Sequence, residues 1–134
     1  MTQATTVTIV VETAELQGAA LDWAVAQVVG DRVQILDGGR VHHVDSHGHV
    51  ESRYQPSTSW SQAGRLMDTH IKRMGDCGEP VAGWDAIPEG KQCFAIAHNG
   101  EFATGPTTRV AACRAVVLAN LGGTIEVPAS LVKP

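Results

Sequence analysis

The sequence predicts an α+β domain in which one antiparallel sheet, made of a meander and a hairpin, packs against two main helices. Three observations point there. Turn residues cut the stretch from Arg32 to Tyr54 into short β-rich runs. An Asn99-Gly100 pair separates two further apolar runs. The segment Gly18 to Val29 carries its apolar residues at helical spacing, and Val110 to Leu121 is apolar nearly all round between a threonine cap and a glycine pair.

Taken in order, Thr5 to Val11 is rich in β-branched residues and reads as a partly buried strand. Leu21, Ala24, Val25 and Val28 then fall on one helical stripe, and Gly30 stands where a C-terminal cap belongs. The meander follows as Arg32 to Leu36, Arg40 to Val44 and His49 to Tyr54, joined by Asp37-Gly38-Gly39 and Asp45-Ser46-His47-Gly48 turns. Pro56 to His70 reads as a short helix capped by Ser57, Thr58 or Ser59 and interrupted near Gly64, and Ile71 to Met74 as a short strand. Gly75 to Lys91 gathers glycines, prolines and Trp84 into a long loop within the single domain of residues 1–134. Gln92 to His98 and Glu101 to Thr104 flank Asn99-Gly100, which suits a type I′ turn.

Thr107 or Thr108 caps the last helix, Gly122-Gly123 closes it, and Thr124 to Val127 forms a final strand before Pro128. Val110, Ala111, Cys113, Val116 and Val117 leave that helix almost no solvent face, so it is expected against a sheet and a second helix.

Composition narrows the function classes. A formal charge of -4 and a pI near 5.8 give no general attraction to nucleic acid or an anionic membrane. Three widely spaced cysteines, Cys77, Cys93 and Cys113, offer no zinc or redox pair and suit a reducing compartment. The start lacks a basic n-region, and Val7 to Val11 is too short for a signal peptide or membrane span, so an intracellular protein is expected. No P-loop, no G-x-S-x-G, no G-x-G-x-x-G after a strand and no deaminase H-x-E with P-C-x-x-C is present, which weighs against an enzyme.

Two clusters carry chemistry. With Asp45 to Gly48 as the turn, Val44 faces His49 and His42 faces Glu51, placing His42, His49 and Glu51 on one hairpin face as a conceivable two-histidine, one-carboxylate metal set. The plainer account is a solvated, histidine-rich hairpin tip. The second cluster runs from Arg53 to Gly64. Tyr54 and Trp60 offer stacking faces, Arg53 and Arg65 offer charge, and Ser57, Thr58 and helix-start amides can bond phosphate oxygens. Its plainer account is helix capping with Trp60 in the core. Arg114, in the middle of the apolar last helix, needs a partner. Asp22 in the first helix is the expected one, the alternative being that Arg114 points into a pocket and binds an anion. Arg109, nearer the helix start, is expected to be exposed.

Three blocks, Thr13 to Gln27, Tyr54 to Met67 and Gly105 to Pro128, together resemble the phage NinX family, short phage-encoded proteins of unknown function. The family favours an acidic residue before Trp60, where this chain has Ser59. The resemblance implies a phage accessory protein in the cytoplasm of the infected cell, and it carries over no catalytic residue and no cofactor. The expectation is a non-enzymatic module sequestering a small anionic, nucleotide-like host defence signal through Tyr54, Ser57, Thr58, Trp60, Arg65, Trp84 and Arg114. A protein-interaction module blocking a host enzyme and a metal-dependent hydrolase using the histidine-rich hairpin stand as rivals. A homo-oligomer is also expected, because so small a domain often completes a pocket with a neighbour.

Overall fold

The computed structural model describes residues 8–36, 39–76 and 93–132. Its strands and helices run β1 (Thr8–Glu12), α1 (Gly18–Val29), β2 (Val33–Leu36), β3 (Arg40–Val44), β4 (Val50–Arg53), α2 (Trp60–His70), β5 (Ile71–Asp76), β6 (Cys93–Ala97), β7 (Phe102–Gly105), α3 (Thr108–Leu121) and β8 (Thr124–Pro128). The class is α+β, with every strand pairing antiparallel. The meander and the hairpin do not merge into one sheet. They form separate sheets, β2-β3-β4 and β5-β6-β7, and β1 pairs with β8 as a two-stranded ribbon.

Local chemistry explains the helix ends. Gly30 takes φ 80° and its N–H donates to the Ala26 carbonyl, ending α1 in the left-handed conformation that a glycine adopts without strain. Thr107 Oγ1 accepts from the Val110 amide at 3.1 Å, capping α3. At the other end of α3, the Gly122 carbonyl accepts from Thr13 Oγ1 at 2.6 Å and the Gly123 carbonyl from the Thr13 amide at 2.8 Å. That buried threonine therefore ties the start of the chain to the end of α3.

α3 is the hub, which accounts for its missing solvent face. Cys113, Val116 and Val117 pack with Leu21, Ala24 and Val25 of α1 and with Val41 and Val127. Ala111, Ala112 and Ala115 instead join Ala95 and Ala97 of β6 and Ala63 and Met67 of α2 in a second, alanine-lined core. Small side chains let helix and sheet approach closely there. At Gly105, an added Cβ would come within 2.9 Å of both the Ala111 amide and Val110 Cγ1.

Four expectations need correction. α2 runs unbroken through Gly64, because nothing crowds or bends the chain there and Ser59 supplies the cap, its side chain accepting from the Gln62 amide. Asn99-Gly100 is not a type I′ turn. Only Gly100, at φ 95°, has positive φ, and the Gly100 amide donates to Ala97 O while the Ala97 amide donates to Glu101 O, the pattern of a three-residue loop with a glycine bulge. β1 is mostly exposed, with Val10 66% accessible, because its partner β8 covers an edge and not a face. The β3-β4 register also differs, as set out below. Residues Thr5 to Val7, the Asp37-Gly38 turn and nearly all of the Gly75 to Lys91 loop lie outside the described residues, although Gly75 itself belongs to β5.

Candidate functional site

A pocket of about 570 Å³ opens between the end of α1, the meander and α2. Ser61, Gln62, Arg65, Leu66, Thr69 and His70 line it from one face of α2, with Val28, Val29 and Asp31 from the end of α1 and beyond it, His43 from β3, and Tyr54 just after β4. The spacing of the α2 residues is that of a single helical stripe. A polar helix face, a phenol and an apolar edge thus share one opening.

Packing fixes Tyr54. It is 5% exposed, and the His43 ring meets it edge-on with centroids 4.6 Å apart. Burial raises its phenol pKa, and the charge of Asp31 together with a hydrogen bond to that carboxylate raises it further, so the hydroxyl stays protonated. Gln62 braces the connection between β4 and α2 from both sides: its Oε1 accepts from the Gln55 amide at 2.6 Å and its Nε2 donates to the Arg53 carbonyl at 2.9 Å. Tyr54 lies between those two backbone groups, and Arg65 follows one turn beyond Gln62 on the same helix.

The structure brings together only part of the expected set. Tyr54 and Arg65 share the pocket. Ser57 is 2% exposed and points inward, its amide donating to Asp22 Oδ1 at 2.8 Å. Thr58 is exposed, its hydroxyl directed to the Gln55 carbonyl at 3.4 Å. Trp60 is neither in the core nor on the pocket wall. It is 55% exposed at the start of α2, with the Arg109 guanidinium 4.8 Å from its ring centroid, so Arg109 is half-buried and not the exposed residue expected. Trp84 lies outside the described residues.

The Asp22–Arg114 ion pair is not formed. Arg114, 8% exposed, donates from Nε to the Leu16 carbonyl at 2.8 Å and from Nη1 to the Thr104 carbonyl at 2.9 Å. Burial lowers its pKa, and the Glu15 carboxylate acts against that shift. Two backbone carbonyls satisfy the cation, while Asp22, on another face of the same core, accepts from Ser57. Charge alone suggested the pairing, but backbone acceptors are invisible in a sequence.

The histidine-rich hairpin also takes another register. Val44 pairs with Val50 and His42 with Arg53, with an irregularity between the two. His42 Nδ1 lies 2.9 Å from the backbone carbonyl of Glu51 rather than beside its carboxylate. His49 meets Asp45 at 3.2 Å, and the His49 and His47 amides both donate to Asp45 Oδ1, which holds that carboxyl below its ordinary pKa. Among the described residues, no group of three or more His, Cys, Asp or Glu is placed to hold a metal ion.

His43, Asp31 and the α2 stripe were missed from the sequence. The stripe was legible in principle, because Ser61, Arg65 and Thr69 recur every four residues. A second cavity, of about 370 Å³, lies at the first turn of α1 and carries Glu15, Arg40 and Arg53. Arg53 thus lines this cavity and not the pocket that holds Arg65. No helix among the described residues is long and apolar enough to cross a membrane.

The described residues define a small α+β domain with an open, largely polar pocket beside α2. The model of the family described as Bacteriophage P22, NinX matches residues 12–120, and the chain belongs to that family. It is accordingly a phage accessory protein. A search of curated proteins gives no match.

Proposed function

We propose that this protein is a non-catalytic module that holds a small anionic, ring-bearing ligand of nucleotide-like chemistry in the pocket beside α2. The observation that carries the reading is the joint presence of Arg65 and Tyr54 in one opening of about 570 Å³. Arg65 supplies a permanent cation able to grip phosphate through two N–H groups. The hydroxyls of Ser61 and Thr69 add hydrogen-bonding capacity, and Tyr54, Leu66 and Val29 give an apolar edge suited to a ring. In the cytoplasm of an infected cell, a phage accessory protein of this kind lowers the free concentration of its ligand, which fits sequestration of a host defence signal.

Isothermal titration against cyclic dinucleotides and ADP-ribose derivatives tests it. The expected result is saturable binding by one of them, weakened about tenfold or more in Arg65→Ala, as loss of one charge-assisted contact would give. No heat for any of these nucleotides overturns the reading. Binding that survives Arg65→Ala but is lost in Arg53→Ala moves the ligand to the cavity at α1 and overturns the assignment of the pocket.

A further inference from the structure

We propose that Asp22 is a proton-sensitive anchor for this pocket: its buried carboxylate holds the β4–α2 connection through the Ser57 amide, and gaining or losing one proton there displaces Tyr54 and Arg65 relative to each other. The inference rests on the pocket being the ligand site, but the coupling is measurable without any ligand.

The geometry is direct. Residues 54–59 join the Tyr54 side of the pocket to the helix that carries Arg65. Ser57 sits in the middle of that connection, 2% exposed, and its amide donates to Asp22 Oδ1 across 35 residues of sequence. The Ser57 hydroxyl lies near enough to favour the carboxylate anion, yet it meets no partner at hydrogen-bonding geometry. The amide contact to Asp22 is thus what holds this serine to α1. An ionised acceptor makes that bond charge-assisted and about twice as strong as a neutral one. Protonation removes the assistance and adds an O–H donor beside the unpartnered hydroxyl.

Several groups face this carboxylate. Arg53 from β4 favours the anion, while Tyr54 and Cys113 of α3 both feel its charge, and Asp31 and His43 in turn contact Tyr54. Burial is the largest influence and pushes the Asp22 pKa from 3.8 up to about 6. Both protonation states are therefore accessible close to neutrality, and the attachment of the connection can respond to pH in a range where surface carboxylates stay ionised.

An NMR pH titration of the ligand-free protein tests the anchor, following the Asp22 side-chain carboxyl carbon, the Ser57 amide, the Tyr54 ring and the Arg65 Nε–H. All four are expected to share one midpoint near 6 in the unmodified chain. The last three should lose that transition in Asp22→Asn and keep it in His43→Gln and His70→Gln, which remove the two histidines of the pocket. If Asp22→Asn does not fold, agreement of the four midpoints in the unmodified chain decides the matter. A Ser57 response without any at Tyr54 and Arg65, or midpoints that differ from that of the Asp22 carboxyl, overturns the anchor. Failure of every nucleotide to bind would sink the ligand and leave this titration intact, whereas binding without a shared midpoint would sink the anchor alone.

Discussion

Arg114 donates from Nε to the carbonyl of Leu16 at 2.8 Å, joining α3 to a residue 98 positions earlier in the chain, just ahead of α1. The same guanidinium reaches the Thr104 carbonyl on β7, so one cation ties β7 and the segment ahead of α1 to α3 through backbone oxygens. Arg114→Met removes the donors and leaves the Leu16 and Thr104 carbonyls without this partner, a loss of about 3 kcal/mol. Arg114→Lys keeps the charge but lacks the forked donor set, and should fall between the two. Urea denaturation of the three proteins checks the order. A methionine variant as stable as the parent would mean that the carbonyls find water or other donors.

Asp22 predicts a pH dependence with a definite sign. Its pKa is raised on folding, so between about 3.8 and 6 the native state binds a proton that the unfolded chain has released. Stability contributed by this group is therefore greatest in acid and falls as pH rises through that window. A shift of this size corresponds to roughly 3 kcal/mol. Subtracting the denaturation free energies of Asp22→Asn from those of the parent at each pH isolates the effect. The parent should lose ground to the variant with rising pH, and a flat difference would count against a buried, desolvated carboxylate.

Gly39 immediately precedes β3 at φ 76°, and a Cβ there would lie 2.8 Å from the Ser130 carbonyl oxygen. Both the left-handed backbone and the close approach require glycine. Gly39→Ala should cost about 1–2 kcal/mol by thermal or urea unfolding. Gly64→Ala provides the contrast, since its helical site is open and alanine gains helix propensity, raising stability by up to ~1 kcal/mol.

What the sequence shows well is what short-range physics decides. α1 matches from Gly18 to Val29, and the last helix ends at Leu121 as expected with Thr107, one of the two threonines expected there, as its cap, because a glycine past the end and a threonine before the start act within a few residues. The apolar girdle of α3 also spoke correctly for two partners, and the two cores it touches follow from that. Long-range pairing was not legible. Asp22 and Arg114 looked like mutual partners because both are buried charges, yet the serine amide and the carbonyls that satisfy them carry no side-chain signature. A strand irregularity between His42 and Val44 undid the histidine register, since one displaced residue changes which groups face each other. Of the candidate site, Tyr54 and Arg65 were found by chemistry, whereas His43 and Asp31 reach the pocket only through tertiary packing.

Trp60 and Arg65 lie on different sides of α2, and their variants should separate accordingly. Trp60 stands more than half exposed against Arg109, an arrangement worth about 0.5–1 kcal/mol at a surface site. Trp60→Ala should therefore lower stability only slightly and leave nucleotide binding within about twofold of the parent, a change of under ~0.5 kcal/mol. Arg65→Ala should do the reverse, sparing stability because its side chain is exposed and removing the cation from the pocket. Titration calorimetry and thermal melts on the two variants test the separation together. Loss of binding in Trp60→Ala with a normal melt would place the ligand on the Trp60–Arg109 surface instead of beside Tyr54.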